Sequence, residues 1–235
     1  MLIDTGYGKD GLKELIEKQI TALPLTVVNS HYHPDHSAGN RIFGEAHICE
    51  ADMPTGTASD SQILINKINS GSPVLGKIIS AAFKPMSNND CKYIPMSDTD
   101  IFELGGRSVT VHAFPGHTKG SVMFTDDKTA ALFTNDSCNS STWLFTNFDQ
   151  SLSDFAERTA ALSEKFNDIK KVYYSHVNLT TDTGFFTEYG KFLRTVSLAD
   201  SKKIKLRGLE SRICIASRKL PGYGRASIMF LESQI

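Results

Sequence analysis

Some segments of the chain have the apolar pattern of a β-strand, and others have apolar residues at the spacing of an α-helix. The two kinds of segment alternate, which predicts alternating strands and helices. Short apolar runs rich in β-branched residues, such as "LTVVNS" and "EAHICEA", predict buried strands. "KDGLKELIEKQI" places Leu12, Leu15, Ile16 and Ile20 on one face of a helix, and apolar residues at helical spacing predict another helix from about 153 to 166. "FFTEYGKFLRTV" predicts a third helix. This pattern is typical of a mixed α/β domain.

Strand pairs joined by short turns are predicted in the middle of the chain. "DIFELGGRSVTVHAF" alternates on both sides of Gly105 and Gly106, and "GSVMFTDDKTAALFTND" does so around Asp126 and Asp127, which predicts two hairpins. Residues 58–84 are predicted to form two short helices broken by "NSGSP", and the tail from Lys203 two or three strands. Because no repeat, linker or low-complexity segment interrupts the pattern, we predict one domain over residues 1–235.

The amino-acid composition limits the kinds of molecule that the protein is expected to bind. The net charge of −1 in 235 residues gives no electrostatic reason to expect a nucleic acid or a membrane surface as partner. The chain has no apolar stretch of membrane length and no secretory signal at its start. Its four cysteines are scattered and form no C-x-x-C pair, which favours reduced thiols. We therefore expect a cytoplasmic protein that acts on a small molecule.

The candidate chemistry lies in "SHYHPDHSAG", which holds three of the seven histidines and an aspartate: His31, His33, Asp35 and His36. Three further strands end in a potential ligand, namely His117, Asp136 and His176, and the strand "LID" ends in Asp4. Side chains at strand ends share one rim of a sheet, where open α/β folds place their sites. A polar loop is the alternative explanation for the cluster, and an ordinary histidine is the alternative for His117 or His176 taken singly.

Imidazole nitrogens and carboxylate oxygens are ligands for borderline metal ions. Five histidines and two aspartates exceed what one tetrahedral ion needs, so the sequence predicts two divalent ions. Zinc is the first choice, with iron or manganese as alternatives. Asp136 has two carboxylate oxygens and is the candidate to bridge the ions.

The ordered set H-x-H-x-D-H, P-G-H-T-x-G-S, F-T-x-D-S and a late histidine, preceded by "LIDTG", resembles the metallo-β-lactamase superfamily. The resemblance implies an α/β fold of the α+β type, a four-layer αββα sandwich with a dinuclear site at one edge. By the family pattern, His31, His33 and His117 hold the first ion. Asp35, His36 and His176 hold the second, with Asp136 between them.

The resemblance also implies hydrolysis by a metal-activated hydroxide, directed at an ester, thioester, lactone or related small-molecule bond. Asp35 is the predicted catalytic residue, since it can orient the water and carry its proton. Three further residues are predicted to hold the ligand side chains in orientation, namely Asp4, Thr118 and Ser121. Trp143 and Phe145 are candidates for a substrate pocket, although core packing explains them equally well.

Two other functional classes stay open. One is a mononuclear iron dioxygenase of the persulfide-oxidising kind, which shares the fold. The other is an N-terminally truncated, non-catalytic product, because most relatives carry two or three strands before "LIDTG" and this sequence starts at Met1 within it. The tail segments "SRICIASR" and "ASIMFLES" are candidates to fill that sheet edge, and an unfilled edge makes a homodimer a hypothesis. Asn135 and Ser175 replace glycines usual in relatives, so we expect a small change in site geometry.

Overall fold

The computed structural model of the protein describes residues 1–8, 11–54, 66, 91–176, 180–205 and 209–235. Its first half forms a parallel sheet whose spatial order follows the chain: β1 (Leu2–Ile3), β2 (Val27–Val28), β3 (Glu45–Cys49) and β4 (Lys92–Met96). Short helices occupy the connections: α1 (Leu12–Leu15), which continues as a π-helix (Ile16–Ile20), α2 (Pro34–Ser37) and α3 (Asn40–Phe43).

A six-stranded mixed sheet packs against the parallel one. Its strands are β5 (Ile101–Glu103), β6 (Ser108–Ala113), β7 (Val122–Asp126), β8 (Ala131–Asn135), β10 (Lys171–Tyr174) and β11 (Thr180–Thr181), in the spatial order β11-β10-β8-β7-β6-β5. The parallel pair β8 and β10 is connected through helix α4 (Leu152–Lys165), and helix α5 (Gly184–Leu193) follows β11. Both predicted hairpins, β5–β6 and β7–β8, are present.

The C-terminal strands form a third sheet. β12 (Lys202–Ile204), β13 (Ile213–Leu220) and β14 (Gly224–Leu231) are antiparallel, and β9 (Ser141–Trp143) joins β14 in parallel. These segments were candidates to fill the edge beside β1, in this chain or in a partner's, and within this chain they do not lie there. Their backbone groups pair with one another and with β9, so they are not available to β1.

Apolar clusters hold the described sheets and helices together. Between the parallel and mixed sheets, Val28 packs with residues such as Val111 and Phe124. On the other face of the mixed sheet, a larger core joins α4, α5 and the C-terminal sheet, with Phe155 and Tyr189 fully buried in it. A smaller cluster that includes Phe43 covers the outer face of the parallel sheet. This order of layers confirms the predicted αββα fold class and adds the third sheet to it.

The first predicted helix differs from its expected form. Ile16 is buried, but Leu15 and Ile20 are 46% and 72% exposed. From Ile16 the helix has π geometry, whose wider turn rotates later residues away from an α-helical stripe, so the apolar face does not stay continuous. Residues 58–84 lie outside the described residues apart from Asn66, and their predicted helices stay a prediction.

Within the described part of the chain, no helix is both long and apolar enough to cross a bilayer.

Helix α4 is predicted to depend on Phe155, which is fully buried and packs against the ring of Phe114, with ring centroids 5.7 Å apart. Phe155→Ala should lower the free energy of unfolding by about 3–5 kcal/mol, because it removes a core ring and leaves a cavity. Glu164→Ala, at an exposed position of the same helix, should change it by less than about 0.5 kcal/mol. Urea unfolding of both variants is the measurement, and equal effects would contradict this packing.

Candidate metal centre

The ends of five strands deliver the predicted ligands to one rim. Asp4 follows β1, the segment with His31 and His33 follows β2, and His117 lies shortly after β6. Asp136 and His176 lie just after β8 and β10, which are parallel neighbours, so their ends meet at the same edge. Pro34 starts α2 at its first helical position, where its fixed φ and missing N–H are tolerated. The local sequence therefore turns the chain sharply after the first two histidines.

One group of ligands consists of His31, His33 and His117, all buried. His33 Nδ1 and His117 Nε2 lie 2.8 Å apart, and the ring centroid of His31 lies 4.7 Å from each of the other two. The outer ring nitrogens have their own partners. His31 Nδ1 lies 3.0 Å from Ser30 Oγ, and His117 Nδ1 donates to the backbone carbonyl of Trp143 at 2.8 Å. These contacts direct the Nε2 atoms of His31 and His117 inward.

The second group consists of Asp35, His36, Asp136 and His176. His176 Nε2 lies 2.9 Å from Asp136 Oδ2, and His36 Nε2 lies 3.2 Å from the same oxygen and 3.5 Å from Asp35 Oδ2. Asp136 Oδ2 also lies 3.7 Å from His117 Nε2 and 4.0 Å from His31 Nε2. This carboxylate oxygen therefore lies between the two groups.

Two buried nitrogens test whether the cluster suits a cation. His31 Nε2 and His36 Nε2 are buried and make no hydrogen bond to any described residue. A buried polar atom without a partner costs free energy, and native structures seldom leave one unexplained. Both atoms face the centre of the cluster, where a metal ion would coordinate their lone pairs. The donor set of imidazoles and carboxylates therefore fits a divalent metal site.

The charges of the cluster are consistent with ligand chemistry. Burial lowers the pKa of His31, His33 and His117, which keeps these rings neutral and able to donate lone pairs. Burial also opposes charge on His36, but the carboxylates of Asp4, Asp136 and Asp35 outweigh it and raise the pKa to about 12. The carboxylates that favour a proton on His36 would equally favour a divalent cation at this position.

Asp136 is held ionised by its neighbours. Burial raises the pKa of this carboxyl, but the histidines around it, with His176 and His36 foremost, hold it well below its ordinary value. A carboxylate kept charged in a nearly closed site is suited to bind cations.

Comparison with known sequences decides the family. The family model of the metallo-beta-lactamase superfamily matches residues 1–176. The chain belongs to this superfamily. The resemblance read from the sequence motifs is thereby confirmed.

Individual relatives are more distant. The human acyl-coenzyme A thioesterase MBLAC2 is 25% identical over 150 residues, which are 58% of this chain and 53% of that protein. Hydroxyacylglutathione hydrolase of Hyphomonas neptunium is 29% identical over 108 residues, 46% of this chain and 31% of the other. The chain thus spans about half the length, or less, of these two relatives.

Solved structures of other proteins have a fold similar to that of this chain. A metallo-beta-lactamase family protein from Thermus thermophilus superposes with a TM-score of 0.58 at 19% identity, covering 82% of this chain and 69% of that one. An archaeal metallo-beta-lactamase superfamily protein from Sulfolobus tokodaii superposes with a TM-score of 0.54 at 18% identity, covering 83% of this chain and 76% of that one. At such identities the likeness shows the fold alone.

Asp4 lies behind the second group of this superfamily site. Its Oδ1 accepts the backbone N–H of Ser30 at 2.8 Å, and its Oδ2 accepts the Ser30 hydroxyl and faces His36 Nδ1, both at 2.7 Å. Asp4 adopts a φ of 62°, a left-handed conformation that aspartate tolerates better than most residues. The Asp4 carboxylate fixes the orientation of the His36 ring. A supporting role of Asp4 in the reaction stays a prediction.

Asp52 is a buried residue that the sequence analysis missed. Its Oδ2 accepts from the backbone N–H of Tyr32 at 3.1 Å and from Thr118 Oγ1 at 2.6 Å, and its Oδ1 accepts from Gly120 N–H at 2.7 Å. Ser121 Oγ completes this contact network by accepting from Thr118 N–H at 2.9 Å. The carboxylate therefore joins the segment of His31 and His33 to the segment of His117. Its place soon after a strand, β3, was the signal that could have revealed it.

The two aromatic pocket candidates differ in surroundings. Trp143 is 37% exposed, and its backbone carbonyl is the partner of His117. Phe145 is buried in a cluster with Leu209, Ile213 and Leu231, so core packing explains its ring. A role for Trp143 in substrate binding stays a prediction.

Asn135 and Ser175 are the two positions at which the sequence analysis expected a small change in site geometry. Asn135 has a φ of 47°, the left-handed region that glycine enters freely and asparagine tolerates better than other residues. Ser175 N–H donates to the carbonyl of Asn135 at 3.4 Å, between the two strand ends that carry Asp136 and His176. The asparagine thus preserves the backbone turn that precedes the central carboxylate.

Asp52 is expected to make stability depend on pH. Burial raises its pKa to about 6, although Thr118, Gly120 and Tyr32 act in the opposite direction. Between about pH 4 and pH 6 the folded state therefore retains a proton that the unfolded state has lost. Wild-type stability, measured relative to Asp52→Asn, should fall by about 3 kcal/mol as pH rises through this window and stay level above it.

Urea unfolding of both proteins from pH 4 to pH 7.5 measures this difference. Thr118→Val removes the hydroxyl that stabilises the ionised carboxylate in the folded state, so the upper end of the window should extend to higher pH while its lower end stays in place. A difference between wild type and Asp52→Asn that is constant across the range would show that Asp52 does not titrate as described.

Proposed function

We propose that the protein is a dinuclear metal-dependent hydrolase that cleaves thioester or related acyl bonds of small molecules. The observation that carries the proposal is the convergence of four ring nitrogens within 4.0 Å of Asp136 Oδ2, from His31, His36, His117 and His176. With His33 and Asp35 these residues form two ligand groups, and His31 Nε2 and His36 Nε2 are buried without a hydrogen bond among the described residues. This arrangement supports two cation positions on either side of one carboxylate. Zinc is the proposed metal, with iron and manganese as alternatives that the same ligands accept.

Each ion has its own set of residues in this proposal. His31, His33 and His117 would hold the first ion, and Asp35, His36 and His176 the second, with Asp136 shared between them. Divalent ions bound there would supply Lewis acidity and a hydroxide nucleophile near neutral pH.

Asp35 is the residue proposed to handle the proton. Its Oδ2 lies 3.5 Å from His36 Nε2 and 3.6 Å from His176 Nε2, and its side chain is 27% exposed, so it borders both the ligands and the solvent. Burial raises its pKa, but His36 outweighs burial and lowers it, so the carboxylate is charged at neutral pH. A charged carboxylate in this place can orient a water molecule and accept its proton.

The proposed substrate class draws on two relatives. One is named an acyl-coenzyme A thioesterase and the other a hydroxyacylglutathione hydrolase. Both names describe removal of an acyl group from a thiol carrier. Among the ester, thioester and lactone bonds that the sequence indicated, acyl thioesters are therefore the first to test.

The proposed site predicts metal content directly. Wild-type protein purified without added metal should contain two ions per chain, and Asp136→Ala should contain one or none, because the shared ligand is lost. His47→Ala is the matched control: His47 lies on β3, and its ring packs against Phe102 rather than in the cluster. Its metal content should equal that of wild type.

Elemental analysis of folded protein makes this measurement. A single iron per chain, together with oxygen consumption, would replace the proposal with the iron dioxygenase. Absence of metal in the folded wild type after incubation with zinc would refute the site.

Asp35→Asn is predicted to lower kcat for acyl thioesters by about 10²-fold or more, because the amide cannot accept a proton although its oxygen still resembles a ligand. Hydrolysis of an acyl-coenzyme A, an S-acylglutathione, an aryl ester and a lactone should be assayed with metal content measured on the same samples. An unchanged kcat at equal metal content would remove Asp35 from the reaction. Failure of the metal-loaded wild type to hydrolyse any of the four would contradict the substrate class.

A further inference from the structure

We infer that Gln234, at the C-terminal end of the chain, is a positioning residue that holds the orientation of the ligand His117. This inference rests on the proposed metal site and adds to it a residue outside the segment 1–176 that matches the superfamily. The connection passes through residues 143–150, which we call the His117 support loop. Three sets of contacts carry it.

The first set joins the support loop to His117. His117 Nδ1 donates to the carbonyl of Trp143 at 2.8 Å, and Thr146 Oγ1 donates to the carbonyl of His117 at 2.5 Å. The ring and the backbone of the ligand therefore both depend on this loop. A metal-bound histidine takes its orientation from the acceptor of its other ring nitrogen, and loss of that acceptor typically costs about 10–100-fold in metal affinity.

The second set joins the support loop to the C-terminal sheet. β9 ends at Trp143 and pairs in parallel with β14, with Trp143 opposite Met229. The N–H groups of Leu144 and Phe145 donate to the carbonyl of Met229 at 2.7 and 3.2 Å. The start of the loop is thus an extension of the third sheet.

The third set is made by one side chain. Gln234 is 4% exposed, and its Nε2 lies 3.2, 2.7 and 2.9 Å from the carbonyl oxygens of Leu144, Asn147 and Gln150. Its Oε1 accepts the N–H of Leu231 at 2.7 Å, at the end of β14. One amide group therefore connects the beginning, middle and end of the support loop to the last strand.

Loss of this amide would leave the Gln150 carbonyl without its donor. The carbonyls of Leu144 and Asn147 would each keep one backbone donor, the N–H of Asn147 and of Gln150, but would lose the bond that joins them to the last strand. The loop can recover these hydrogen bonds only by moving toward solvent or toward another donor. Either movement shifts the carbonyl of Trp143, and with it the acceptor of His117 Nδ1. The effect on metal binding is therefore expected without any contact between Gln234 and the metal.

Gln234→Met tests the inference, because methionine has a similar length but cannot make these hydrogen bonds. Two properties of the zinc-loaded protein should be measured. One is the chelator concentration that removes half of the metal, and the other is the solvent exchange rate of the His117 Nδ1 proton by NMR. We expect release at about tenfold lower chelator concentration and faster exchange of this proton.

Leu220→Ala is the control for a general loss of stability. Leu220 is buried at the opposite end of the β13–β14 hairpin from Met229, so its truncation weakens the same sheet without touching the support loop. The unfolding free energies of both variants are measured as well, so that the loss of metal affinity in each can be compared with its loss of stability. Leu220→Ala should retain wild-type metal affinity and the wild-type exchange rate.

A Thr146→Val variant supplies a second, independent test. Thr146 and Gln234 act on the same loop, so the effects of Thr146→Val and Gln234→Met on metal affinity should be non-additive in the double variant. Leu220→Ala combined with Thr146→Val should be additive. If Gln234→Met does not fold, Gln234→Asn, which shortens the side chain but keeps the amide, takes its place in every comparison.

The inference is overturned if Gln234→Met keeps wild-type metal affinity and proton exchange, or if Leu220→Ala alters both to the same extent. Failure of the wild type itself to bind metal would refute the proposed function instead. In that case the exchange rate of the His117 proton in wild type and Gln234→Met still decides whether Gln234 positions the ring.

Discussion

The rest of the site depends on burial of one charged carboxylate among imidazole rings. Asp136 Oδ2 lies within 4.0 Å of ring nitrogens from His31, His36, His117 and His176, and these neighbours keep it ionised although it is nearly closed off from water. A buried charge requires compensation by opposite charge or by a metal. The strands, turns and supporting hydrogen bonds around it serve to bring that compensation from distant parts of the chain.

Support for the site comes from three directions. Asp4 fixes His36 from the parallel sheet, and Asp52 ties the first histidine segment to the segment of His117. From the C-terminal sheet, the Trp143 carbonyl and the Thr146 hydroxyl, both within residues 143–150, contact His117. Each direction uses buried hydrogen bonds to a carboxylate, a carbonyl or an amide, where loss of one partner is costly. These hydrogen bonds therefore fix the orientation of the candidate ligands.

Three strands of the third sheet, β12, β13 and β14, lie outside residues 1–176, which match the superfamily model. This sheet packs on the helical side of the mixed sheet and shares the largest core with α4 and α5. Through β9 it also forms part of the wall beside the ligands, next to the partly exposed ring of Trp143. The C-terminal segment is consequently connected to the site through the contacts of residues 143–150.

Local patterns in the sequence determined much of this protein. The two-residue period located both hairpins, helical spacing located α4 and α5, and the placement of polar residues after strands indicated all seven ligand candidates. These features depend on residues close together in the chain, so the sequence expresses them directly. The burial of Phe145, the π geometry after Ile16 and the pairing of β14 with β9 depended on contacts between distant segments, and no local period encodes those. Asp52 and Gln234 belong with them, because a buried carboxylate or amide is important only through the partners that the tertiary structure brings to it.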